Sequence, residues 1–228
     1  MATRKEPTTE PRVPLSRERV LDAAIALADA GGIESLSMRK LAKELGVEAM
    51  SLYNHVANKG DLVDAIVDRV VGEIELPESA DDAWEAAIRT CAVSAHDAFV
   101  RHPWACGPAM SPASNIAAPA ARLRYVEWLL GRLRRGGFSP ELTFHAYHAL
   151  DSHILGFTMW QLGHSLPDAD VAKELMEAFF RQFSADEFPY LMEHAAQHRD
   201  GTGHEGPSEF EFGLDLILDG LKKAMAGG

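Results

Sequence analysis

Residues 36–66 read LSMRKLAKELGVEAMSLYNHVANKGDLVDAI. Two short amphipathic segments meet at Gly46, the spacing of a helix-turn-helix. Ser37 is a side-chain cap for the first segment, which carries Met38, Leu41, Ala42 and Leu45 on one face. Ala42 is small where two helices must cross, and Gly46 can take the positive φ of a tight turn. Leu41, Leu45, Val47 and Leu52 are the right size and spacing to close a miniature core. A further segment begins near Glu48 and stops around Asn54 to Val56. It is then presented to a DNA major groove, its first turn against base edges.

The side chains suit that task. Ala49, Met50 and Ser51 are short or apolar enough to approach bases and thymine methyl groups. Arg39 offers a planar fork that matches a guanine edge. Tyr53, His55 and Lys59 can donate to phosphates, and Lys59-Gly60-Asp61 starts a helix whose free N–H groups add to that.

Working outward, the pattern is all-α. Ser16 caps a helix with Val20, Ala24, Leu27 and Ala28 on one face, ended by Gly31-Gly32. A helix follows Asn58 and carries Leu62, Ile66, Val67, Val70 and Ile74 toward Pro77. Longer helical stretches are expected at 80–101, 116–135, 140–164, 169–183, 186–197 and 208–225. Pro103, Gly107, Pro108 and Pro112 read as an irregular segment between 101 and 115. The expected organisation is an arm at 1–15, a DNA-binding domain at 16–62 and a helical ligand-binding and dimerisation body at 63–228.

Charge divides the chain the same way. Residues 1–59 hold nine Lys and Arg against eight Asp and Glu, whereas residues 60–228 hold thirteen against twenty-six. Double-stranded operator DNA must therefore meet the N-terminal part, because the acidic body repels phosphate. There is no run of apolar residues long enough to span a membrane, and the first residues have no apolar signal core. Cys91 and Cys106 do not form a disulfide framework and fit a reducing, cytoplasmic setting as small buried hydrophobes.

The segment from Arg17 to Val67 resembles the DNA-binding domain of the tetracycline-repressor (TetR) family. Leu52-Tyr53-Asn54-His55-Val56, followed by Asn58-Lys59 and Leu62, is similar to that family's signature. At the other end, Phe210 to Leu221 and Asp186 to Leu191 resemble the closing segments of the tetracycline repressors proper. The resemblance implies that Arg39, Ala49, Met50, Ser51, Tyr53, Asn54, His55 and Lys59 meet DNA. It also implies a homodimer and a small-molecule effector. Two departures stand out: Ala49 replaces a base-reading glutamine, and Asn54 replaces an aromatic ring. The magnesium-tetracycline ligand set is not reproduced either. His153 falls near one of its positions, but no carboxylate follows at the needed distance.

The body concentrates large groups that could line an effector pocket for an apolar or aromatic, largely uncharged ligand. The candidates are His102, Trp104, Met110, Trp128, His153, Phe157 and Trp160. A four-helix dimer interface is expected from Leu150, Ile154 and Phe157 of one helix with Phe212, Leu216 and Leu221 of the last. His145, His148, His153 and His164 keep a metal-responsive alternative open, although no Cys joins them and Asp151 is the only nearby acid. No cofactor is expected. An enzyme is the other class, and the chain has no Gly-rich phosphate loop, GxSxG, HExxH or CxxC.

Overall fold

A computed structural model describes residues 14–78, 83–110, 120–164, 174–175, 177–178, 181–183, 186–199 and 208–227. The expected arm lies outside this set except for its last two residues. Every regular element among the described residues is helical, in the order α1 (Arg17–Gly31), a 3-10 turn (Ile33–Ser35), α2 (Met38–Leu45), α3 (Ala49–Leu52), α4 (Lys59–Val71), α5 (Trp84–Arg101), α6 (Pro103–Met110), α7 (Ala120–Arg135), α8 (Pro140–His164), α9 (Pro189–Arg199) and α10 (Glu209–Ala226). Of the expected helix at 169–183, only short pieces from 174 onward are described, and those at 174–175, 177–178 and 181–182 are helical.

The chain forms two compact units. The first comprises Met1–Ile74 with Arg101–Val126, and the second Glu75–Val100 with Glu127–Gly228. Asp29 of α1 accepts from the Trp104 indole N–H at 2.6 Å and lies 2.8 Å from His102 Nδ1. Asp68 of α4 accepts from the backbone N–H groups of Ala121 and Arg122 at 2.8 and 3.1 Å, capping the start of α7. Those bonds bind α6 and the start of α7 to the N-terminal helices. The chain crosses from one unit to the other three times.

The segment expected to be irregular is in large part a helix, α6. Pro103 stands at its first position, where a missing N–H costs nothing, and only Pro108 lies inside. The eight-residue length keeps the loss to one interior bond. Pro112 lies outside the described residues.

In the second unit α8 and α10 pack together. Each presents a stripe at helical spacing: Thr143, Ala146, Leu150, Ile154 and Thr158 on α8, and Phe210, Leu214, Leu218 and Leu221 on α10. Ser208 and Glu211 form a capping box that starts α10. Leu150, Ile154 and Leu221, expected between subunits, are thus buried inside this one. The apolar groups left facing outward are Phe144, Met159 and Trp160 of α8 with Phe212 and Leu216 of α10. Among the described residues no helix is long and apolar enough to cross a membrane.

Candidate DNA interface and the body residues

The N-terminal helices are set by short-range hydrogen bonds. Ser16, Ser37 and Asn58 each accept from the backbone N–H three residues on, capping α1, α2 and α4. Asp61 returns the favour at α4 by accepting from the Ala57 N–H at 2.8 Å. Gly32 and Gly46 adopt φ of 74° and 66°, so α1 and α2 stop where a side chain would be strained. Beneath, Val20, Ala24, Leu41, Leu52, Leu62 and Ile66 are fully buried. Leu45 and Val47 complete this core only partly, being half-buried.

All eight expected DNA residues reach the surface. Arg39, Met50, Tyr53, Asn54 and Lys59 are exposed, while Ala49, Ser51 and His55 are half-buried. Met50 stands out most, at 75% exposure, an unusual place for an apolar side chain without a partner. The helical turns of α3 continue past Leu52, with the Val56 N–H bonded to the Leu52 carbonyl at 3.1 Å. One exposed cation beside these residues escaped the sequence reading. Arg17, first residue of α1, donates to the His55 carbonyl at 2.5 Å and so brings an exposed cation beside the end of α3. Only tertiary structure joins positions 17 and 55, and no local pattern signals it.

The seven residues expected to line an effector site are divided between the two units. His102 and Trp104 belong to the first unit, joined through Asp29, and His102 Nε2 lies 3.5 Å from Glu73. Met110 ends α6, and its side chain lies outside the described ones. His153 and Phe157 sit in the second unit against Phe210, with ring centroids 4.9 and 5.6 Å from it. His153 Nε2 is 2.9 Å from the Phe210 carbonyl. Trp160 neighbours Phe157 at 5.8 Å but is 54% exposed. Trp128, also of the second unit, donates its indole N–H to the Pro77 carbonyl at 3.1 Å.

His96 of α5, which the sequence reading passed over, also stacks on this ring group, 4.2 Å from Phe210 at an interplanar angle of 10°. Thr158 spends its one hydroxyl proton on the Ile154 carbonyl, so His96 Nδ1, 2.7 Å away, is the donor to Thr158 Oγ1. Burial holds the His96 imidazole below its ordinary pKa, opposed by Asp97 and aided by His153.

His145, His148 and His164 are exposed, and the last two have Nδ1 within 2.8 Å of the carbonyl four residues back. Among the described residues no group of three or more His, Cys, Asp or Glu is placed to hold a metal. Both cysteines are buried, and burial pushes their thiols up, Cys91 to about 12 and Cys106 to about 11. Neither is a thiolate nucleophile at neutral pH.

Comparison with known proteins agrees at both ends of the chain. Residues 20–66 match the family described as bacterial regulatory proteins of the tetR family, and residues 76–225 match the tetracyclin repressor-like C-terminal domain. The transcriptional repressor DrrR1 of Streptomyces coeruleorubidus is 32% identical, across 98% of this chain and 83% of its own. The class D tetracycline repressor protein of Escherichia coli is 29% identical, across 91% and 89%. Among solved structures, ActR of Streptomyces coelicolor without ligand superposes with a TM-score of 0.74 at 27% identity, covering 94% of this chain and 98% of that one. The same protein in complex with actinorhodin gives 0.72, covering 93% and 99%. The chain belongs to the TetR family and is a DNA-binding transcriptional repressor of helix-turn-helix type, not an enzyme.

Proposed function

We propose that the protein occupies a palindromic operator as a homodimer and leaves it when a small, mainly apolar molecule enters the helical body. The observation that carries the DNA half is that Arg39, Ala49, Met50, Ser51, Tyr53, Asn54, His55 and Lys59 all reach the surface while Leu41, Leu52 and Leu62 among them are fully buried. In this reading Ala49, Met50 and Ser51 touch base edges, and Arg39 forks to a guanine. Tyr53, Asn54, His55 and Lys59, joined by Arg17, meet the backbone. Dimerisation uses the apolar groups that face outward on α8 and α10, namely Phe144, Met159, Trp160, Phe212 and Leu216.

The effector half is supported by ActR, whose complex with actinorhodin has this fold over nearly its whole length. Here α6 packs on α4 and α1, with His102 and Trp104 anchored on Asp29. An effector that shifts α6 therefore shifts α4, whose N-terminus carries Lys59. About 1–3 kcal/mol of coupling corresponds to roughly 5–150-fold release.

The test is binding to a set of single-base operator variants at several salt concentrations. Arg39→Ala is expected to cost about 1–3 kcal/mol at one base pair per half-site. Lys59→Ala weakens binding to every sequence and lowers the salt slope by about one. Uniform loss in both variants would make Arg39 a phosphate contact and move base reading elsewhere. A monomer in sedimentation at about micromolar concentration would refute the dimer.

A further inference from the structure

A cavity of about 480 Å³ lies within the second unit, lined by Pro77, Glu78, Trp84, Trp128, Arg132, Arg135 and Gly136. Its size is that of a small-molecule site. Its chemistry is out of keeping with the acidic body around it. α7 carries Arg122, Arg124, Arg132, Arg134 and Arg135, five of the thirteen basic residues between 60 and 228. Arginines in a last helical turn also answer the helix dipole. That does not explain why Arg132 is 6% exposed, its guanidinium 5.5 Å from the Trp128 ring centroid and donating to the Pro77 carbonyl at 2.5 Å. Arg134 turns aside to the Phe138 carbonyl, whereas Arg135 keeps to the cavity.

The aromatic side of the cavity is just as firmly held. Trp84 meets Phe138 edge-on at 4.8 Å, and its Cβ and Cγ lie 2.9 Å from where a Cβ on Gly136 would stand. Any side chain at 136 would displace that indole. Trp128 is tied by its N–H to Pro77. The lining thus offers two indoles, two guanidinium groups and one carboxylate, Glu78, which is exposed. Indole faces accept flat rings, and guanidinium groups pair bidentately with acidic oxygens.

We propose that this cavity is the effector site and that its ligand is a planar aromatic acid, with its ring against Trp84 and Trp128 and its anionic group toward Arg132 and Arg135. The assignment rests on the reading of the protein as effector-controlled, and it refines a mainly apolar ligand by adding one acidic group.

The experiment titrates the full chain with 2-naphthoate and with its uncharged counterpart 2-naphthamide by calorimetry, and follows operator release with each. Naphthoate is expected to bind about tenfold or more tighter than the amide. Arg135→Gln, an exposed position safe for folding, removes that preference, and Gly136→Ala weakens both probes by crowding Trp84. Equal affinity for acid and amide overturns the proposal, as does no binding by about millimolar concentration. Naphthoate binding and operator release that both survive Arg135→Gln and Gly136→Ala overturn this site while upholding effector control. Binding that both variants weaken, without operator release, upholds the site as a binding site and overturns effector control through it.

Discussion

The helix caps of the DNA-facing segment and the long-range polar contacts of the body differ greatly in reach, although α1 and α4 also hold His102, Trp104, Ala121 and Arg122 from afar. At the N-terminus Ser37 caps Lys40 and Asn58 caps Asp61, each three residues along the chain. In the body Arg89 pairs with Asp215, 126 residues away, Trp128 reaches Pro77 across 51, and His96 reaches Thr158 across 62. The first arrangement can form as soon as its own short segment exists. The second requires that the fold be assembled. This suits their duties: a recognition surface needs a fixed conformation, whereas a body that answers an effector needs contacts that can be rearranged as a set.

If short caps shape the N-terminal helices but burial stabilises them, Leu62→Ala is the largest single loss there. Leu62 has no exposure, and the expected cost is about 2–5 kcal/mol by urea unfolding. A smaller loss than that from removing a cap would break the contrast. Next comes Asp29→Ala. It leaves the buried Trp104 indole N–H without its acceptor, at a cost of about 1–3 kcal/mol, and loosens α6 as well. Its signature is a raised hydrogen exchange in α6 that Leu62→Ala does not mimic.

Asn58→Ala follows at about 1 kcal/mol, confined to fraying at the start of α4. The smallest effect is pH-dependent. His96 has its folded pKa lowered by burial, so the unfolded chain binds its proton more readily. Stability from this group is complete above the unfolded value near 6.5 and is lost as pH falls from there through the folded pKa. His96→Gln should flatten that part of the urea-midpoint profile. An unchanged profile would assign the acid sensitivity to another group.

The same contrast explains what could be read from the residues. Ser16, Ser37, Gly46 and Asn58 announce their helix ends because a cap or a positive φ is a property of one or two residues. The buried positions Leu41, Leu52 and Leu62 were legible for the same reason, being periodic. α6 was not, since Pro103, Gly107 and Pro108 look like breakers until Asp29 is seen to hold its start. Nor was the Trp128–Arg132–Pro77 cluster, because a backbone carbonyl leaves no trace in a side-chain pattern. Leu150, Ile154 and Leu221 are apolar at helical spacing, but spacing alone does not say whether such a stripe meets its own chain or a second copy.

The threefold crossing of the chain has a consequence for its birth on the ribosome. Synthesis delivers α1 to α4 first, but Asp29 and Asp68 then wait for His102, Trp104, Ala121 and Arg122. Between them the ribosome must make Glu75 to Val100, which belong to the other unit. The DNA-reading half is therefore finished late, after part of the sensing half has emerged, and a nascent chain shorter than about residue 126 carries recognition helices without their full support. A truncation ending at residue 74 would reproduce that unfinished state permanently.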